Sequence, residues 1–294
     1  MNKILIIGAS NIDYFGMVKD NLVMNDSNKG IIRISFGGVG RNVCENLARL
    51  GVDITFITVI GNDEMGRVLL NQLNELKVTV IVPNDIQSSS SYMAIHDNTG
   101  DMVLAINDMD NFKKINIDFI EKNYNIIDAY DYIVCDGNVS LEAIDYIFKT
   151  FKNKKILVDG ISTTKVMKFI NHLNEIYLLK CNIYEAQALI KKPKVEAELL
   201  SELLSLGCKR VVVTNGVKDI YYSDGVQIYS TPVTPAKDII NATGAGDAMF
   251  SGIVFQLLNE ASVQEGVEFG KRLATLTLSS IRSVSEEVSS LLRS

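Results

Sequence analysis

The segment Ile4-Leu-Ile-Ile7, followed directly by Gly8-Ala-Ser-Asn-Ile-Asp13, decides how the rest of the chain is read. Four apolar residues with no polar one between them need burial on both sides, which is the habit of a parallel strand covered by helices. Similar runs return at Ile54-Thr-Phe-Ile-Thr-Val-Ile60, Tyr132-Ile-Val-Cys135, Ile156-Leu-Val158, Ile176-Tyr-Leu-Leu179 and Val211-Val-Val213. Between them the apolar residues fall at helical spacing. Val39, Val43, Leu47 and Leu50 share one face, stopped by Gly51, and Met65, Leu69, Leu73 and Leu76 share another. Strands alternating with amphipathic helices predict an α/β fold, a three-layer α/β/α core around a mainly parallel sheet.

A chain of 294 residues without internal repeats, low-complexity tracts or a proline-rich linker is expected to form a single domain over 1–294. Hydrophobic residues at 47% and charged residues at 22% are ordinary globular usage and exclude disorder. The formal charge is −6 and no Lys/Arg run is dense enough to track a phosphate backbone, so no nucleic acid polymer is expected as a partner. No apolar run approaches the roughly 20 residues of a membrane span. The N-terminus has neither the apolar core nor the cleavage site of a signal peptide. A cytoplasmic protein with no membrane association is expected. Cys44, Cys135, Cys181 and Cys208 are scattered without a C-x-x-C pair, and His96 and His172 are the only histidines, which fits reduced thiols better than a zinc site.

Two stretches break the α/β rhythm, at about 12–36 and 88–107. The second reads as a hairpin, with Ser91-Tyr-Met-Ala-Ile-His-Asp97 and Asp101-Met-Val-Leu-Ala-Ile-Asn107 joined through Asn98-Thr-Gly100, whose residues tolerate positive φ. Both stretches are read as insertions forming a small β-sheet lid over a site.

The strongest local signal for chemistry is Asn241-Ala-Thr-Gly-Ala-Gly-Asp-Ala-Met-Phe-Ser-Gly-Ile-Val254. The small residues Gly244, Ala245 and Gly246 let backbone N–H groups approach a ligand, and the apolar run from Ala248 starts a helix whose positive end points at them. This is an anion cradle with the Asp247 carboxylate beside it, suited to take a proton from an attacking hydroxyl. Asp247 can equally serve as a plain helix-terminus acid. Gly37-Gly-Val-Gly-Arg-Asn42 lacks the third glycine of a dinucleotide fingerprint, and Gly61-Asn-Asp-Glu-Met-Gly-Arg67 lacks the lysine and hydroxyl of a Walker loop. In the latter, Asn62 or Asp63 is read as a helix cap.

Asn11 and Asp13 follow the first buried strand, at the carboxyl edge where open α/β sheets hold ligands. With Asn42 they can read neighbouring sugar hydroxyls, although turn formation explains the first two as well. Asn182-Ile-Tyr-Glu185 sets an amide and a carboxylate on one helical face, suited to a hydrated Mg²⁺ near phosphate or to an N-cap with an acidic first turn. Thr214-Asn-Gly216 either borders a nucleotide or turns the chain.

Taken in order, these pieces resemble the ribokinase-like (PfkB) family of carbohydrate and nucleoside kinases over essentially the full chain, through Gly37-Gly-Val-Gly-Arg-Asn42 and Thr243-Gly-Ala-Gly-Asp-Ala248. The resemblance implies ATP-dependent phosphorylation of a primary hydroxyl, with Asp247 as base and the backbone at Gly244, Ala245 and Gly246 as anion hole. It also implies Asn11, Asp13, Gly38 and Asn42 as substrate-sugar positions, Asn182 and Glu185 for Mg²⁺ and phosphate through water, and Thr214 and Gly216 as the nucleotide loop. Within the family, Gly8-Ala-Ser-Asn-Ile-Asp13 and the lid segments Ser91-Tyr-Met-Ala94, Asp97-Asn-Thr-Gly-Asp-Met102 and Ala105-Ile-Asn-Asp-Met109 resemble pseudouridine kinases. That points to the 5′-hydroxyl of pseudouridine as acceptor, with ribose or another nucleoside as alternatives and an idle sugar-binding regulatory module as the reading outside enzymes. Many family members carry an acidic residue where Asn241 stands, so activation by a monovalent cation that such a carboxylate would help to hold is not expected here. The lid edges are of the kind that family members bury in a homodimer.

Overall fold

The computed structural model describes residues 2–191, 195–233, 236 and 239–293. Thirteen strands run among them: β1 (Lys3–Ile7), β2 (Asn11–Val18), β3 (Gly30–Gly37), β4 (Asp53–Ile57), β5 (Thr79–Ile81), β6 (Ser91–His96), β7 (Met102–Asp108), β8 (Tyr132–Cys135), β9 (Lys155–Asp159), β10 (Leu178–Asn182), β11 (Val211–Thr214), β12 (Ile220–Ser223) and β13 (Ile228–Thr231). The α-helices are α1 (Val39–Arg49), α2 (Glu64–Glu75), α3 (Ile117–Lys122), α4 (Tyr124–Asp128), α5 (Leu141–Thr150), α6 (Thr163–Val166), α7 (Ile183–Ile190), α8 (Glu196–Ser205), α9 (Ala245–Leu258) and α10 (Val263–Leu278).

Nine strands form one sheet in the order β13-β12-β11-β10-β9-β8-β1-β4-β5, parallel from β11 to β5 and antiparallel across β11, β12 and β13. Its first strand shows why the apolar runs are continuous. Ile4 and Ile6 join a core with α1, α2, α9 and α10, while Leu5 and Ile7 join a core on the opposite face with α3, α5, α7 and α8. The α/β reading holds. The chain leaves β1 toward β4 on one side and returns to β8 on the other, so the strand order reverses at β1 and β8. Open α/β sheets form their ligand crevice at the carboxyl ends of such a switch point.

Two local readings change, and a third resolves to one of its two alternatives. The run from Ile54 does not stay in the sheet to residue 60: β4 ends at Ile57, and the Thr58 hydroxyl instead shares a hydrogen bond with that of Ser10 at 2.9 Å. The strand expected at 176–179 is displaced to Leu178–Asn182, so Lys180 lies inside it. Asp63, rather than Asn62, caps α2, accepting from the Gly66 N–H at 2.6 Å.

The second sheet has the order β3-β2-β6-β7. Its hairpin turns where Asp97 Oδ1 accepts the N–H groups of Thr99 and Asp101. Register places Asp13, Ser35 and Tyr92 on one face, followed by Phe15, Arg33 and Ala94 and then by Met17, Ile31 and His96. The other face carries Tyr14, Ile32, Ile34, Met93, Leu104 and Ile106, with Ile32 76% exposed. An outward face this apolar is unusual for a solvent-facing sheet.

Candidate active site

Two helices begin on glycines at the carboxyl edge of the large sheet. The start of α1 packs backbone to backbone on the end of β1: a Cβ on Gly40 would stand 2.7 Å from Gly8 Cα. Gly38, the N-cap, has φ 94°, a conformation that disfavours any other residue. Asp136, just past β8, closes this junction. Its Oδ2 accepts the N–H groups of Ala9 at 2.9 Å and Gly40 at 3.1 Å, and its Oδ1 accepts from Asn138 N and Nδ2, both at 2.6 Å.

The start of α9 is built differently. Gly244 has φ 86°, and a Cβ there would run into the Ser283 carbonyl. No side chain caps this helix; the Ala245 N–H makes a long bond of 3.4 Å to the Ala242 carbonyl. Asn241 shapes the approach, donating from Nδ2 to the Ile281 carbonyl at 3.2 Å and accepting the Thr243 N–H at 2.9 Å.

Asp247, in the first turn of α9, turns its carboxylate toward α1, where Oδ2 accepts from Asn42 Nδ2 at 2.7 Å. Burial pushes its pKa up to about 7, helped by the nearby Asp159 carboxylate, while the Asn42 bond and Lys180 oppose the shift. The Asn42 amide is itself oriented. Arg41 Nη1 donates to Asn42 Oδ1 at 3.0 Å and to the Phe36 carbonyl at 2.9 Å, and the guanidinium is ion-paired with buried Glu45. A carboxyl with a pKa near neutrality beside an uncapped helix terminus can accept a proton from a hydroxyl while the N–H groups hold an anion.

Asn11 and Asp13 come from β2. Asn11 Nδ2 donates to Asp13 Oδ1, and the Asp13 carboxylate lies where a side chain on Gly37 would have to go. Burial raises Asp13 to about 6 against the opposing Asn11 bond and the Arg41 charge. The structure therefore brings Asn11, Asp13, Gly38, Asn42 and Asp247 together from three separate segments, β2, the start of α1 and the start of α9. A cavity of about 730 Å³ lies between the inner face of the second sheet, with Phe15, Arg33 and His96, and Asn241, Ala242 and Thr243 ahead of α9.

On the other side of Asp247 the sheet edge carries charge. Asp159 and Lys180 are register partners on β9 and β10, both buried, with Lys180 Nζ 3.0 Å and 3.1 Å from the two carboxylate oxygens. Burial alone would lower Lys180, but Asp159, Asp247 and Glu185 outweigh it and hold the ammonium above the ordinary lysine value. Asn182 and Glu185 form a full capping box at the start of α7: Asn182 Oδ1 accepts Glu185 N–H at 3.0 Å, and Glu185 Oε2 accepts Asn182 N–H at 2.8 Å. The capping reading of that pair thus holds structurally, and the buried Glu185 carboxylate also lies against Gly160 and near Lys180. Thr214 is the register partner of Asn182, and Gly216 turns the chain just beyond it with open space around its α-carbon.

Sequence reading missed Asp136, Asp159, Lys180 and Arg41. Asp136, Asp159 and Lys180 each left a trace, because a charged residue at the end of, or inside, an otherwise apolar strand is a buried charge that needs a partner; Arg41 lies in α1 and left no such signal. Among the described residues no group of three or more His, Cys, Asp or Glu could hold a metal ion, and the four cysteines are free and buried. No helix of the described residues is long and apolar enough to cross a membrane.

Comparison with known proteins agrees with this geometry. The pfkB family of carbohydrate kinases matches residues 1–287. Pseudouridine kinase of Escherichia coli K12 is 35% identical over 286 residues, covering 94% of this chain and 90% of the relative. Guanosine-inosine kinase of Exiguobacterium acetylicum is 27% identical over 289 residues, covering 95% of each. The ribokinase of Thermotoga maritima superposes with a TM-score of 0.85 over 100% of both chains at 22% identity, which identifies the fold as ribokinase-like. The chain belongs to the pfkB family of carbohydrate kinases, phosphotransferases that use an alcohol group as acceptor.

Proposed function

We propose that this protein transfers the γ-phosphoryl of Mg·ATP to the 5′-hydroxyl of a nucleoside, and that pseudouridine is its preferred acceptor. The observation that carries the reading is half-buried Asp247, its carboxylate held by Asn42 at the uncapped start of α9. Asn11, Asp13, Asn42 and the Gly38 backbone hold the ribose hydroxyls, which leaves the 5′-oxygen toward Asp247. Asp247 takes the hydroxyl proton as the new bond forms, and the backbone N–H groups at Gly244, Ala245 and Gly246 receive the charge on the moving phosphoryl. An alcohol releases its proton only as transfer proceeds, so a base near neutrality suffices.

The nucleotide side fits a hydrated cation carried in by the nucleotide rather than a protein cage. Asn182 and Glu185 offer an amide and a carboxylate at the sheet edge, and a carboxylate that accepts one bond on each oxygen keeps lone pairs for water. Mg²⁺ bound there through water would shield the phosphates, and Thr214 and Gly216 border the nucleotide. The second sheet acts as a lid that excludes water during transfer. A second copy of the chain covers its apolar outer face. The four buried thiols are consistent with a reducing cytoplasm.

The likeness to pseudouridine kinase supports the acceptor, and the 730 Å³ cavity beneath the second sheet leaves room for a base as well as a sugar. The likeness to a guanosine-inosine kinase makes a purine nucleoside the second reading. A coupled assay of ADP release with pseudouridine, uridine, inosine, guanosine, ribose and fructose 6-phosphate separates them. Pseudouridine is expected to give the highest kcat/KM; a higher value for ribose or fructose 6-phosphate would overturn the nucleoside assignment.

A further inference from the structure

Lys180 stands in β10 between Leu179 and Cys181, both buried in an apolar core. Leu178, Leu179 and its register partner Val212 are fully buried, and Lys180 itself is only 6% exposed. Its ammonium lies between the two oxygens of Asp159 and 3.0 Å from the point where a Cβ on Gly246 would stand, against the first turn of α9. Two features make this position a poor choice for stability alone. A cation at the positive end of a helix is electrostatically unfavourable. A buried ion pair also seldom stabilises a fold more than apolar residues of the same size. Both features become useful once an anion reaches the start of α9, because it meets a helix end that no side chain caps and an ammonium together.

We infer that Lys180 is a further catalytic residue of the transfer step, its ammonium completing the anion hole that the start of α9 begins, with Asp159 the carboxylate that positions it. The inference rests on the kinase reading above. In the step, the acceptor oxygen bonds to the γ-phosphorus as the bond to the β,γ-bridging oxygen breaks. The electron pair of that bond leaves with ADP, the hydroxyl proton passes to Asp247, and Lys180 keeps its protons throughout. Its charge is shared among the peripheral γ-oxygens, where it matters most at mid-transfer. Glycine at 246 is then required so that the ammonium can lie against the backbone.

Lys180→Met tests this, alone and combined with Asp159→Asn. The single variant leaves Asp159 buried and unpaired, so its folding is checked by thermal melting. The double variant removes both charges and is expected to recover the melting temperature. If Lys180 is catalytic, both variants lose kcat by about 100-fold or more, the loss typical of removing one oxyanion-hole donor, while the acceptor KM moves less than about threefold. Both variants should also lose the preference for ATP over ADP in calorimetric titration, since only the γ-phosphoryl reaches Lys180. A double variant that regains kcat along with its stability, or variants that still prefer ATP to ADP as the wild type does, would overturn the inference. The titration needs no acceptor, so wild-type protein that prefers ATP but phosphorylates no alcohol would reject the kinase assignment while leaving this contact tested.

Discussion

Helices α1 and α9 lie side by side on the same layer of the sheet, and both begin on glycines that let the backbone pack closely, but their N-termini are treated in opposite ways. At α1 the protein supplies its own anion. Asp136 takes the N–H groups of Gly40 and Ala9 and ties β1, β8 and the helix into one junction. At α9 no side chain caps the helix, a lysine rather than a carboxylate lies against its first turn, and the carboxylate that is present points across to Asn42. A glycine-rich helix start can therefore be structural or reactive, and the distinction lies in whether the fold has already satisfied its positive end. In the proposed reaction the two starts divide the work: α1 fixes where the sugar-facing groups stand, and α9 keeps its field for the incoming phosphoryl.

Substitutions that exchange these treatments should have unequal effects. Asp247→Asn is the largest: turnover should fall by about a thousandfold, in the range found for removing a general base, measured as steady-state kcat at saturating acceptor and Mg·ATP. The same change should stabilise the fold. In the folded chain the Asp247 pKa of about 7 exceeds the ordinary aspartate value of 3.8, so the native state loses stability as pH rises between these values. At pH 8 the full cost is present, and the variant should melt about 5 °C higher than wild type, a gap that closes below pH 4. Asp136→Ala should show the reverse pattern. Losing its four hydrogen bonds should cost about 3 kcal/mol and lower the melting temperature by about 6 °C, while kcat at a permissive temperature stays within about tenfold of wild type.

Smaller effects follow from pH and from the second sheet. With Asp247 required as a carboxylate, kcat/KM in the wild type should be flat above pH 8 and fall about tenfold per unit below pH 7. Protonation of Asp13, whose pKa burial raises to about 6, should steepen that fall near pH 6 by weakening the hold on the acceptor. The proposed pairing of two copies through the outer face of the second sheet predicts a dimer in sedimentation velocity that Ile32→Lys converts to monomer, with little change in kcat. An unchanged sedimentation profile would reject a second copy as the cover for that face.

The parts of this arrangement that could be read from sequence share a physical cause. Ile4 to Ile7 announce a strand between two cores because both of their faces are apolar, and Gly244 to Asp247 announce an open helix start because small residues precede an apolar run. The Asn182 and Glu185 capping box follows a local spacing that needs no tertiary information. Lys180, Asp159 and Asp136 depend on partners far along the chain: Asp136 meets Gly40 across 96 positions, and Lys180 meets Asp159 across 21 and Gly246 across the layer. No single window contains both members of such a pair. Strands β12 and β13 escaped the reading for another reason. They are only four residues each at the edge of the sheet, and Tyr221, Ser223 and Ser230 interrupt their apolar pattern.

The central claim is that Asp247 acts on the reacting hydroxyl rather than as a cap or a substrate anchor. Calorimetric titration of the accepted nucleoside into Asp247→Asn, beside turnover by the same preparation, tests it most directly. The account predicts binding within about fivefold of wild type together with loss of nearly all turnover, because Asn11, Asp13 and Asn42 still hold the ribose while the proton acceptor is gone. Binding that disappears while turnover at high nucleoside concentration is preserved would contradict it.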